Sequence, residues 1–196
     1  GSLMPTFEIA AADSVGGLFS GSTTRWVNPG GRCSRASPET WTQVMARSAY
    51  TLAKLYVRAP TNTLTGATTV TSRVDTAPGA MSVTIGAATT GTFEDTTNSD
   101  SIASGSVFNT QVVTGTGGAN ALTLTLIGYT LAHATANDFI LTCSPTASDT
   151  TWASSVAWVA IGGRYEEDSV EAEAAYTFRA AATLSNLRNF IGANTT

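Results

Sequence analysis

Apolar and polar residues alternate along much of this chain with a period of two, in short runs. Met81, Val83 and Ile85 take turns with Ser82 and Thr84. Val70, Ser72 and Val74 alternate with Thr69, Thr71 and Arg73, and Leu122, Leu124 and Leu126 alternate with Thr123 and Thr125. A period of two puts one set of side chains on each face of a strand, so each run predicts a half-buried β-strand. The same reading gives strands at Thr6 to Ala10, Thr23 to Val27, Leu52 to Val57, Thr92 to Asp95, Val107 to Val113, Phe139 to Cys143 and Val156 to Ile161. Between them lie turn signals: Asn28-Pro-Gly-Gly31, Asp75-Thr-Ala-Pro-Gly79, Gly86 to Gly91, the polar stretch Thr96 to Ser101, and Gly115-Thr-Gly-Gly118, read as a hairpin turn. Residues 40–48 show no convincing helical face and read as extended, with a short helix starting near Ser37-Pro-Glu-Thr40 as the rival. Turns every ~8–12 residues with few helical windows predict an all-β fold, an antiparallel β-sandwich, with a jelly roll preferred over an immunoglobulin-like arrangement. Its core is expected to hold Leu52, Leu55, Val83, Ile85, Leu122, Leu124 and Leu126.

The chain also repeats itself. Trp26-Val-Asn-Pro-Gly-Gly-Arg32 returns as Trp158-Val-Ala-Ile-Gly-Gly-Arg164, an offset of 132 (158 − 26). At the same offset Arg47 answers Arg179, Thr51-Leu52 answers Thr183-Leu184, Leu55 answers Leu187 and Asn62-Thr63 answers Asn194-Thr195. A matched series without a gap is read as one full unit followed by the opening of a second. The division expected is a sandwich domain over 1–168, with 169–196 as the start of a second unit or an assembly arm. Tyr176, Phe178, Leu184, Leu187, Phe190 and Ile191 in that segment need a partner. A longer tandem array, a fold-back onto the first unit, and addition to a neighbouring subunit's sheet stay open, the last being preferred. The equivalence of Trp26 and Trp158 suggests a core role for each, and Trp152, which has no such counterpart, reads as an interface residue.

Charge narrows the function. Only 12% of residues are charged, roughly half the usual share, and the net charge is −4. Hydroxyls rather than charges dress the wet faces, as suits a protein packed in an assembly or working outside the cell. No basic run is present to track phosphates, which argues against nucleic-acid binding. No apolar stretch reaches the ~18–20 residues of a membrane helix, and no signal peptide is recognisable.

Candidate chemistry is sparse. The single histidine, His133, has no nucleophile elbow near it and reads as structural rather than as part of a triad. Glu94, Asp95, Asn98 and Asp100 are the one cluster of oxygen ligands; their spacing does not fit an EF-hand, and they read as a solvated acidic loop rather than a calcium site. Glu166, Glu167, Asp168, Glu171 and Glu173 crowd one segment, a solvated face rather than carboxylates set across a cleft. Cys33 and Cys143 lack the spacing of a metal site and read as two free thiols, with a disulfide as the alternative. No catalytic, cofactor or metal residues are assigned, and the chain is read as not an enzyme.

The run Leu55-Tyr-Val, Asn62-Thr, Thr69-Val-Thr-Ser-Arg-Val74, Met81-Ser-Val-Thr-Ile85, Gly91-Thr-Phe-Glu-Asp-Thr-Thr-Asn98 and Ile102-Ala-Ser-Gly105 resembles a β-sandwich module of virion structural proteins in tailed bacteriophages. The resemblance covers about residues 50–130. The family's module often carries an Asn-Gly turn after the Arg-bearing strand, where this chain has Asp75-Thr-Ala-Pro-Gly79. The resemblance implies a decoration, fibre or tail component of a virion, in contact with other virion proteins. A sandwich with so few charges has little to guard its sheet edges, so a homo-oligomer, most simply a trimer or ring, is expected. A carbohydrate-binding sandwich on a secreted or surface protein, with a host-surface glycan as ligand, is the alternative.

Overall fold

A computed structural model of the chain describes residues 6–11, 18–29, 34–36 and 38–133. In chain order the strands are β1 (Thr6–Ala11), β2 (Leu18–Phe19), β3 (Thr24–Val27), β4 (Ser34–Arg35), β5 (Val44–Met45), β6 (Tyr50–Ala59), β7 (Thr61–Asn62), β8 (Thr68–Val74), β9 (Ala77–Ile85), β10 (Gly91–Ile102), β11 (Val107–Val113), β12 (Leu122–Thr123) and β13 (Leu126–His133). Among the described residues one 3-10 turn, Glu39–Thr42, interrupts them.

The architecture is an antiparallel, all-β sandwich. Sheet one runs β1-β13-β6-β10; sheet two runs β4-β3-β11-β8-β9, with β5 also on β11; a small third sheet is β2-β12-β7. One core lies between them. Sheet one gives it Leu52, Leu55, Val57, Ile102 and Leu131, sheet two gives Val70, Met81, Ile85, Phe108 and Val112, and the small sheet adds Phe19 and Leu122. The T-shaped Tyr50–Phe108 pair, ring centroids 5.7 Å apart, ties the two large sheets together at one end.

Most of the expected strands that fall among the described residues form where the alternation placed them, and β8 spans 68–74 as its pattern requires; those expected at Phe139 to Cys143 and Val156 to Ile161 lie outside the described residues. Val70 and Ser72 are buried, as are Met81, Val83 and Ile85. Four local differences have physical causes. Leu122 and Leu124 are buried but Leu126 is only half-buried. Leu122 belongs to β12, and β13 begins a new strand in which Ile127, Tyr129 and Leu131 take the inward face. The turn after β8 is only Asp75-Thr76, both at positive φ (49° and 68°), the signature of a type I′ hairpin. Pro78 is therefore a strand residue; it sits in the edge strand β9, where a missing N–H is tolerated. Gly115–Gly118 does not close a hairpin, because β11 and β12 lie in different sheets. It is held instead to the β2–β3 connection, by Gly21 N to Gly118 O and Ser22 N to Gly115 O, and to Thr65 and Gly66. The 40–48 region divides between both readings: the 3-10 turn first, then the short strand β5.

Thr96 to Ser101 is also not a loop. It continues β10, a twelve-residue strand beside β6. Residues 96–98 form a bulge opposite Lys54, which takes φ 53° to fit it. On the outward face the Tyr56 ring lies over Gly128, where a Cβ would collide with it.

Candidate assembly surface

The register of sheet two sets out its outer face residue by residue. One cross-strand row reads Thr84, Thr69, Val113, Thr24, and the next reads Ser82, Thr71, Gln111, Trp26. Between them runs the inward row of Val83, Val70 and Val112. Across β9, β8, β11 and β3 the two outer rows carry no charged side chain; at the β4 end the second row continues to Arg35, the register partner of Trp26. Val113 leaves 41% of its surface exposed in the middle of this face. Thr71 and Ser82 bond to each other (Oγ1 to Oγ, 3.3 Å). Hydroxyls that bond across the face satisfy part of one another's need for water.

Trp26 belongs to this outer face and not to the core: Val27, its neighbour on β3, is the residue that enters the core cluster. The expected core role of Trp26 is thereby corrected. Strand alternation lets only one of two consecutive residues face inward. The Trp26 indole N–H is buried without a hydrogen-bond partner.

The next row of this face is covered. The 3-10 turn lies over it, with Glu39 gripping Arg73 through two bonds (Nε–Oε1 2.8 Å, Nη2–Oε2 2.9 Å) and Thr42 Oγ1 accepting from Asn109 Nδ2 at 2.7 Å. Arg73 also donates to the Thr76 carbonyl. A bidentate pair of this kind pins the turn and neutralises the charge that interrupts the uncharged face.

The acidic cluster is not the solvated loop expected from sequence. Glu94 is exposed, but Asp95 and Asp100 are buried at the seam between β10 and β9. Asp95 Oδ1 accepts from Thr97 N (3.1 Å), Thr97 Oγ1 (3.2 Å) and Asn98 N (3.0 Å), and Oδ2 accepts from Ser82 N (3.0 Å) and Asn98 Nδ2 (2.9 Å). The Asn98 side chain first, then the Ser82 N–H, hold this carboxyl well below the usual carboxylate range. Asp100 Oδ1 accepts from Ala80 N at 2.6 Å, and Oδ2 accepts from the Ser72 hydroxyl at 2.5 Å. Ser72 Oγ in turn accepts from Met81 N at 3.3 Å. These carboxylates face protein donors, and Asn98 turns its N–H₂ toward Asp95, which is the wrong polarity for a shared cation. The alternation of the strand, blurred by its bulge, hides this from a sequence reading: nothing in the run of polar residues marks 95 and 100 as inward.

Among the described residues no group of three or more His, Cys, Asp or Glu side chains is gathered at one place. No helix among them is long and apolar enough to cross a membrane. His133 ends β13 and pairs through its backbone with Tyr50. Cys33, Cys143, Trp152, Trp158, the acidic run 166–173 and the second repeat all lie outside the described residues. No protein-family model matches the chain, and no curated protein matches it.

Proposed function

We propose that this protein is a structural component of a virion, a decoration, fibre or tail element of jelly-roll type that works by assembling copies of itself through sheet faces and carries no catalysis. The observation that carries this reading is the outer face of sheet two, with its two rows uncharged from β9 to β3 and the exposed Val113. A face dressed in Thr, Ser, Gln and Val desolvates at low cost, whereas a charged one must find partners for every ion. The low overall charge and the repeated sequence unit support the same reading, since repetition multiplies weak contacts.

Multi-angle light scattering of the full chain, together with a glycan-retention assay, tests it. A stable closed oligomer without retention on polysaccharide is expected. A monomer at every concentration that is retained on polysaccharide would replace this reading with the carbohydrate-binding one.

A further inference from the structure

Strand β9 ends sheet two, and it is the kind of edge that attracts other strands. Its sequence, Ala77-Pro-Gly-Ala-Met-Ser-Val-Thr-Ile85, contains no charged residue. Edge strands are commonly protected by their own lysines or by inward-pointing charges. Here the protection comes from the neighbouring strand. The amides of Ala80 and Ser82 point away from β8 and would meet the carbonyl groups of an added strand; they meet Asp100 Oδ1 and Asp95 Oδ2 instead. Gly79 lets the two strands close, because a Cβ there would run into Ser72 Oγ and the Asp100 carboxylate. Both aspartates are more than nine-tenths buried (each 7% exposed).

We propose that Asp95 and Asp100 form a latch on the β9 edge: their carboxylates occupy the places of a neighbouring strand's carbonyl oxygens and keep this edge closed to strand addition by a second copy of the chain. With the latch gone, the uncharged β9 edge takes up the β9 of another copy, antiparallel, through the freed amides. The occupant follows from the strand itself. Two β9 edges meeting across a two-fold axis bring no like charges together, and each supplies the carbonyls that the other's amides lack. The latch does not rest on the assembly reading above. It guards the edge whether the folded chain is a monomer or assembles through the outer face of sheet two.

Amide hydrogen exchange and sedimentation velocity test it together. In the unaltered chain the Ala80 and Ser82 amides are protected although they lie on a sheet edge. Asp95→Ala should lower protection at Ser82 by roughly tenfold and leave Ala80 protected, and Asp100→Ala should do the reverse. The Asp95→Ala/Asp100→Ala double variant should associate beyond the state of the unaltered protein, in a concentration-dependent way. Adding Ala80→Lys, which charges the opened edge, should return it to that state. Unchanged protection of Ser82 in Asp95→Ala overturns the proposal, and this arm decides the matter even if the double variant fails to fold. A folded double variant that sediments like the unaltered chain at all concentrations overturns it equally, as does extra association that Ala80→Lys leaves intact.

Discussion

Thr110 Oγ1 and Tyr129 Oη meet across the core at 2.6 Å, joining sheet two to sheet one by a hydrogen bond in which both partners are 1% exposed. Ser72, the register partner of Thr110 on β8, makes the second such link with Asp100. Two polar links therefore join the sheets through an apolar core, one at Thr110 and Tyr129 and one beside the β9–β10 seam. Tyr129→Phe should destabilise the fold by about 1–3 kcal/mol, because it leaves the Thr110 hydroxyl buried without a partner. Adding Thr110→Val should recover much of that loss. Urea denaturation of the single and double variants checks both, and strictly additive losses would mean that the two hydroxyls do not depend on each other.

The boundary between β12 and β13 predicts a contrast between two leucines two residues apart. Leu124 is 2% exposed and Leu126 faces outward beside Arg58. Leu124→Ala should cost ~2–5 kcal/mol, while Leu126→Ala should cost less than about 1 kcal/mol. Equal losses in thermal or chemical denaturation would show that the inward face does not switch between the two strands.

The Asp75-Thr76 turn holds a β-branched residue at φ 68°. Glycine meets that geometry without steric cost, so Thr76→Gly should stabilise the protein by about 0.5–1 kcal/mol despite its greater freedom when unfolded. Asp75 should not be exchanged with the same result. Its carboxylate accepts from Val107 N and Ser106 Oγ, both at 2.9 Å, so Asp75→Ala should destabilise. A Thr76→Gly variant with a lower melting temperature would contradict the turn assignment.

How much of this was legible in the sequence depends on what each signal measures. Alternation of apolar and polar residues reports which face is buried, and it located β8 and β9 and their buried faces. It fails where polar residues are buried with partners of their own: the stretch after Asp95 reads as loop because Thr, Asn and Ser dominate it, yet Asp100 within it and Asp95 at its border close a seam. Pro78 and Gly79 mimic a turn for the opposite reason. Each has an ordinary turn meaning, but one occupies an edge position that needs no N–H and the other a place with no room for a side chain. No residue announces the change of inward face at Leu126. The uncharged outer rows became visible only with the strand register, because their members come from four separate stretches of chain.

Acid should loosen the structure through Asp95. Its folded carboxyl is held below its ordinary value of 3.8, so in acid the unfolded chain binds the proton more readily than the folded one. The stabilisation is thus complete above that value and is lost as pH falls from about 4 toward the folded value. Stability measured by denaturation between pH 5 and pH 2 (about that range) should fall with pH in the unaltered chain and fall less steeply in Asp95→Asn. Parallel slopes would remove Asp95 as a source of the acid sensitivity.

The assembly surface is tested most directly by placing charge on it. Thr71 and Val113 sit on adjacent outer rows of sheet two, on the face turned away from the core. Sedimentation velocity of Thr71→Lys/Val113→Lys should show subunits separated relative to the unaltered protein, with circular dichroism and the denaturation midpoint nearly unchanged. A variant that remains folded and sediments as the same oligomer would contradict the claim that copies of this chain meet through the outer face of sheet two.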